Sequence, residues 1–562
     1  MSNKAIAFEG TIPVLIAGGG PVGLGLALEL AGRKIPSILI EQGDGVVRLS
    51  KMGAVSVRSM EHCRRWGVAD KVANSGFPHD HPHSQIFCTS LNGREILTVE
   101  VPGRDADHSA DDLSPEKRQR CPQLWFDPIL QRKAVADPLI TLVYSTRFIG
   151  FLQDAEGVTV EIEDVQSGER GKVRAQYLVG CDGGGSAVRQ ALGLKLEGER
   201  LSNSVGIYFT SYDLLKHQKM PIGTRYWMLG EEGTWGNLTV VDGKDVWRLT
   251  ITGSAASVDM DKFDADYWLR RCFGSDAIEY SITAVLPWWR NRMVADHYGM
   301  GRVYLAGDAC HMNAPNGGFG MNTGLGDSVD IGWKLQGVLE GWASPDILAS
   351  YESERRPIAR RNVDAAARNF TLTKAQRSYA HVDDEGPEGD ATRTALREMM
   401  RRETAPEWET LGVHLGYRYE GSPIILNDGT VEPEDDLSVY VPTSRPGHRA
   451  PHFWLSPGVS ILDEFGEGYV LLQFGGDAAS SRRLEDAAAR AGVPLRTIAI
   501  DNEHAVPLYE RKLVLVRPDG HVAWRGDCLD ADPDEIIATV TGWRIASQGG
   551  RAARERKTEE AR

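Results

Sequence analysis

The feature that most constrains this chain lies in its first forty-one residues. Thr11–Ala17 is an apolar run of strand length, followed by Gly18, Gly20 and Gly23 in G-x-G-x-x-G register and by a helical stretch, Pro21–Gly32. Glycines at these positions permit a tight turn and let main-chain N–H groups approach a pyrophosphate, whose charge the helix start stabilises. A second apolar run, residues 35–40, ends at Glu41, 23 residues after Gly18. That is near the spacing of about 20 at which a carboxylate accepts hydrogen bonds from both ribose hydroxyls of an adenosine. Strand, turn, helix, strand and acid predict a dinucleotide site built from Gly18, Gly20, Pro21, Val22, Gly23, Glu41 and Gln42. FAD and NAD remain open at this point.

Length and composition narrow the rest. At roughly 150 residues per unit, 562 residues predict three or four structural units. Acidic residues outnumber basic ones, 78 to 63, and the formal net charge of −15 argues against nucleic acid or an anionic membrane as partner. Seven cysteines, an odd number without a Cys-x-x-Cys pair or zinc-like spacing, predict neither a disulfide framework nor a metal site. The opening MSNKAIAFEGTIPVLIAGGG lacks the layout of a secretory signal. No run approaches the roughly 20 apolar residues of a membrane span. The expectation is a soluble, cytoplasmic protein.

Two downstream motifs decide between the dinucleotides. YLVGCDG, residues 177–183, is an apolar strand ending in Asp182-Gly183. GRVYLAGDACHMNAPNGGFGMNTGLGDSVDIGWKL, residues 301–335, delivers Gly307-Asp308 to a glycine-rich loop and a long helix. Three marks in this order, G-x-G-x-x-G, Asp-Gly and Gly-Asp, resemble those of the class A flavoprotein monooxygenases, the FAD-dependent aromatic hydroxylases. The resemblance implies FAD as resident cofactor and NADH or NADPH as transient reductant. It implies that Glu41 binds the adenosine ribose, that Asp182 serves the site shared by the flavin pyrophosphate and the pyridine nucleotide, and that Asp308 binds the ribityl chain. Pro315 would lie beside the isoalloxazine ring, with main-chain amides around Gly318, Gly320, Met321 and Asn322 at its pyrimidine edge. Arg120 and Gln123, in RCPQLWFDPIL, are similar to the family's Arg and Gln contacts to FAD. Lys51 stands where the family often has Arg, keeping the charge and losing the planar fork.

The same resemblance implies a fold: a Rossmann-like α/β FAD-binding domain (residues 1–200 and 286–380), an antiparallel-sheet substrate domain (201–285), a linker or mobile loop (381–440), a thioredoxin-like α/β domain (441–546) and a charged tail (547–562). Alternating stretches at 224–229, 237–241 and 246–252 predict the substrate sheet, and Trp227, Trp235 and Trp247 are its candidate substrate contacts. PGHRAPHFWL and LVRPDGHVAWRG resemble the C-terminal domain of the phenol hydroxylase branch. Its sole cysteine, Cys528, leaves it without a thiol pair, so packing or homodimer contacts are its expected use. His79, His81 and His83, among prolines, suit an extended segment near the substrate pocket better than a metal cage.

The function so implied is hydroxylation of a substituted phenol, ortho or para to its activating hydroxyl, with O2 and through a flavin C4a-hydroperoxide. The flavin carries the chemistry, so no side chain stands out as catalyst; His311 and Pro315 are the candidate assistants. Three alternatives differ. A fused polycyclic phenol in natural-product tailoring would need a larger pocket. A flavin halogenase would carry a Trp-x-Trp-x-Ile-Pro motif, which this chain lacks. A non-catalytic flavin-binding protein would have lost the loop at 315–324, which is intact.

Overall fold

The structure, a computed structural model, describes residues 10–253, 256–374, 379–475 and 478–545. The predicted opening folds as expected. Strand Thr11–Ala17 pairs in parallel with Ser37–Ile40 on one side and Arg170–Gly180 on the other. The first sheet runs Gly299–Met300, Val303–Leu305, Arg170–Gly180, Thr11–Ala17, Ser37–Ile40, Ile140–Val143, with the antiparallel strands Thr146–Gln153 and Val158–Asp164 beside it. Helix Pro21–Gly32 starts on a proline and buries Leu24, Leu26, Leu28 and Leu30. Proline there costs no hydrogen bond, because a first-turn N–H has no intrahelical acceptor. The helix packs against the long helix Phe319–Leu339. The three motifs thus meet at the carboxyl ends of Thr11–Ala17, Arg170–Gly180 and Val303–Leu305, where open α/β sheets bind ligands.

A second sheet lies over that edge, in the order His311–Met312, Ser281–Ala295, Leu196–Thr210, Val246–Ile251, Gly233–Val240, Arg225–Gly230, Gln85–Cys88, Glu95–Val99. It is larger than 201–285. Gln85–Cys88 pairs in parallel with Arg225–Gly230, so a segment assigned by sequence to the first body joins the second sheet. Ser281–Ala295 and Leu196–Thr210 run as a long antiparallel pair down into the first body. Strand alternation divides this sheet. Tyr226, Met228, Trp247, Leu249 and Ile251 point into a core closed by Ala265–Phe273, and Arg225 and Arg248 point the other way.

The segment expected as linker or loop, 381–440, contains helix Pro387–Thr404, which begins at a proline and closes a small core with Trp227 and Phe87 through Leu396 and Met400. The C-terminal unit has a four-stranded sheet, Leu495–Ala499, Tyr469–Gln473, Leu513–Val516, Val522–Gly526, with Leu495–Ala499 parallel to its neighbour. Alternation splits it too. Val470, Leu472, Val514 and Val516 fill its own core. Tyr469, Leu471, Leu513 and Leu515 join a core that continues into the first body, where Tyr469 meets the edges of Trp333 and Trp342. Buried ion pairs cross the same junction: Arg449 with Glu61, and Arg517 with Glu354 at 2.6 Å. Cys528 is exposed and its thiol is raised by the neighbouring Asp530 carboxylate, which opposes a thiolate role. No helix among the described residues is long and apolar enough to cross a membrane. The predicted tail, 547–562, lies outside the described residues.

Candidate active site

The glycine turn is shaped by contact beneath it and by open space above. Gly18 has φ +112°, and a Cβ there would fall 2.3 Å from the Cys181 carbonyl oxygen. A Cβ on Gly20 would meet nothing within 4 Å, because it would project into a cavity of about 600 Å³. Gly18, Gly20, Pro21, Val22, Glu41 and Gln42 line that cavity, and Gly23 lies beneath the turn, against Gly18. The Glu41 carboxylate accepts from the main-chain N–H of Gly19 and of Gly43, both at 2.7 Å, which fixes its orientation at the rim.

The other two motifs form the opposite side. Asp182 and Gly183 line the cavity; one Asp182 oxygen accepts from Val188 N–H at 3.1 Å, while the other is buried without a partner. Asp308 is reached by solvent through the cavity yet has protein on all sides, which raises its carboxyl above the usual range. Pro315, Gly318, Gly320 and Met321 line the next stretch, where Phe319–Leu339 begins and its first N–H groups lack intrahelical acceptors. The expectation for Asn322 concerns its main-chain amide; its side chain has another task. Its side chain donates to the carbonyls of Gly318 and Ala54 and accepts from Ser56 N–H and the Ser59 hydroxyl, so it clasps the neighbouring segment and does not line the cavity.

His311 departs from expectation. Its ring is fully buried, 2.9 Å from Asp327, and is absent from the cavity wall, so it has no path to a substrate proton. Burial alone would lower its pKa, but the Asp327 carboxylate outweighs burial and raises it; Asp327 is held low by Arg355 and His311. The same carboxylate accepts from Gly307 N–H, so the group steadies the turn before Asp308. Cys310, His311 and Asp327 form the metal-compatible cluster among the described residues. Its carboxylate is already paired with Arg355 at 2.8 Å.

Lys51, Arg120 and Gln123 line the cavity. Gln123 accepts from Lys51 N–H and donates to Asp127, whose carboxyl burial pushes up to about 7. The tryptophans do not reach the wall. Trp247 is in the core on the far face of the sheet, Trp235 is there too, packed on Trp268, and Trp227 stacks on Phe87 beneath helix Pro387–Thr404. In their place Arg225, Thr239 and Arg248 face the cavity. Sequence reasoning missed these, although alternation held the signal: Trp247, Leu249 and Ile251 share one parity, which sends Arg248 to the other face. His79, His81 and His83 do not converge. His79 contacts Arg104 and the Ala73 carbonyl, and His81 and His83 flank Phe77.

The donor set suits FAD. An acid oriented at the rim by two amides, an open cradle above Gly20, the Asp308 carboxyl and a helix start beside Pro315 would suit ribose, pyrophosphate, ribityl chain and ring in turn, and Asp182 keeps one buried oxygen unpartnered. Known proteins agree. The FAD binding domain model matches residues 11–366, and the aromatic-ring hydroxylase C-terminal model matches residues 443–544. The chain is 32% identical to FAD-dependent monooxygenase apdD of Emericella nidulans, over 94% of this chain and 90% of that protein. It is 28% identical to 2,4-dichlorophenol 6-monooxygenase of Cupriavidus pinatubonensis, over 98% of each. Among solved structures, the rebeccamycin biosynthetic enzyme RebC with reduced flavin shares 37% identity and a TM-score of 0.88, covering 95% of this chain and 100% of that one.

Proposed function

This chain belongs to the FAD-dependent aromatic-ring hydroxylases, and from that premise we propose that it hydroxylates a phenol-like ring ortho or para to the activating group, using O2 and NADH or NADPH. It is an FAD-dependent aromatic monooxygenase. The observation that carries the finer reading is the opposition of two walls of one cavity, residues 315–321 on one side and the sheet face with Arg225, Thr239 and Arg248 on the other. A ring held between them lies next to the expected flavin position.

FAD, when bound, supplies the electron transfer from pyridine nucleotide and the activation of O2 that side chains cannot perform. The chain's own residues bind, orient and enclose. Glu41 would bind the adenosine ribose, Gly20 would leave room for the pyrophosphate, and Asp308 would bind the ribityl chain. The start of Phe319–Leu339 presents N–H groups and the positive end of its dipole to the cavity, where they would stabilise negative charge developing on a bound flavin. The sheet would help to exclude water from a bound ring.

A fused polycyclic phenol is a second reading, supported by the higher identity to RebC, a biosynthetic enzyme, than to the dichlorophenol monooxygenase. Product analysis after turnover with single-ring and fused-ring phenols separates the two readings.

A further inference from the structure

Helix Phe319–Leu339 begins at the cavity, and helix Ala349–Lys374 packs along it. One polar rung joins the two near the cavity: Arg355 donates to the Asp327 carboxylate at 2.8 Å and to the Thr323 carbonyl at 3.0 Å. One turn further along, the next rung is completed by Arg517, a residue of the C-terminal unit. Its fork donates to both oxygens of Glu354, at 2.6 and 2.9 Å, and to Asp330 at 3.2 Å. Asp330 follows Asp327 by three positions on the first helix, and Glu354 precedes Arg355 on the second, so the rungs are neighbours. The outer part of the chain also backs the first rung. The Tyr419 hydroxyl accepts from Arg355 at 3.4 Å, and its ring lies 4.4 Å from that of His521 and 5.0 Å from the Arg517 guanidinium.

The second rung depends on the C-terminal unit for its charge. Asp330, Glu354 and Asp519 bring three buried carboxylates together; Lys334 bridges the first two, at 2.6 Å each, and Arg517 answers all three. Burial would lower the Arg517 pKa, but Asp519 and Glu354 outweigh it and keep the guanidinium charged. Burial raises the Asp330 carboxyl although Lys334 opposes it. Without Arg517, Lys334 would face these carboxylates alone, an imbalance the cluster relieves by taking up a proton or by spreading the two helices.

We propose that Arg517 is a positioning residue of the flavin site: by pinning helix Phe319–Leu339 to helix Ala349–Lys374 it fixes the helix start that borders the FAD cavity. The C-terminal unit thereby has a task in cofactor binding that requires no thiol pair. The inference needs FAD in the cavity and is independent of which ring is hydroxylated.

Titration of the full-length apoprotein with FAD, followed by flavin fluorescence, tests this against a matched control. Arg517→Gln should weaken FAD binding about fivefold or more, the size of a coupling carried through packed elements. Arg517→Lys, which keeps the charge and loses the fork, should recover part of that loss. Arg525→Gln removes another buried arginine of the C-terminal unit, whose carboxylate partners Asp428 and Glu510 lie outside both helices. It should lower Tm yet leave FAD affinity within about twofold, as for a distant, independent site. Wild-type FAD affinity in Arg517→Gln, or an equal loss of affinity in the two glutamine variants, overturns the proposal. A second measurement needs no variant to fold. Because coupling is reciprocal, FAD loading of the wild type should slow amide hydrogen exchange across residues 516–521. It should do so more than across helix Ala478–Arg490, which packs on Leu495–Ala499 and Pro533–Val540 of the same unit. Equal slowing in both segments, or none in 516–521, also overturns it.

Discussion

The Asp327 carboxylate accepts a 3.1 Å hydrogen bond from the main-chain N–H of Gly307. Through it the helix Phe319–Leu339 holds the turn that presents Asp308 to the cavity, while Arg355 and His311 keep the carboxylate charged. Asp327→Asn leaves the Arg355 guanidinium buried and underpaired. The expected cost is about 3 to 5 kcal/mol, read as a lower Tm together with weaker FAD retention.

His311 and Asp327 give that arrangement a pH signature. The His311 pKa is raised in the folded protein, so its contribution is full below the ordinary value of 6.5 and is lost as pH rises through the raised value. The stability difference between wild type and His311→Asn should therefore shrink on the alkaline side. Denaturant titrations from pH 5.5 to 9 measure it, and a difference that grows with pH would be the wrong sign.

Gly18 and Gly20 separate folding from cofactor binding. A methyl group on Gly18 collides with the Cys181 carbonyl, whereas one on Gly20 enters the cavity. Gly18→Ala should cost stability before any cofactor is added. Gly20→Ala should leave apoprotein stability within about 0.5 kcal/mol, as for an unstrained site, while lowering FAD affinity. Thermal melts of both apoproteins and a flavin titration decide this.

The C-terminal unit is expected to act as a fixed part of the FAD-binding body. Arg449 reaches Glu61 across 388 residues of sequence, its Nε 3.1 Å from the carboxylate. Burial would raise the Glu61 pKa, but Arg449 and then Arg58 outweigh it and hold it at about 2. Its contribution is present above the ordinary 4.5 and is lost as pH falls toward about 2. Arg449→Ala should cost about 3 to 5 kcal/mol. Asp463→Ala, which removes the more exposed pair with Arg64, should cost under about 1 kcal/mol. Urea unfolding of both variants makes the comparison.

Legibility in the sequence followed the range of the forces involved. Thr11–Ala17 and Pro21–Gly32 were readable to the residue because a local apolar run, a proline and glycines with short-range duties define them. The cofactor side was legible for the same reason: each motif carries its own strand, turn and helix. The substrate side was not. Trp247 drew attention by residue type, but its place depends on which sheet face is covered, and helix Ala265–Phe273, outside the strand's own pattern, decides that. Gln85–Cys88 joined the second sheet through a parallel pairing that no local pattern announces. His311 sits within the recognised motif, yet its buried partner Asp327 makes it a support of the turn, and the Asn322 side chain likewise ties the motif to Ala54 and Ser59, partners that no local pattern announces.

The central claim is that this cavity holds a flavin reduced by pyridine nucleotide in the service of ring hydroxylation. Stopped-flow mixing of the FAD-loaded protein with NADH and with NADPH, in the presence and absence of single-ring and fused-ring phenols and their carboxylates, tests it directly. The account predicts ligand-stimulated flavin reduction by at least one nucleotide, followed in air by hydroxylated product in proportion to nucleotide consumed. A flavin that neither nucleotide reduces with any ligand, or one whose oxidation yields only H2O2 with every ligand, would contradict it.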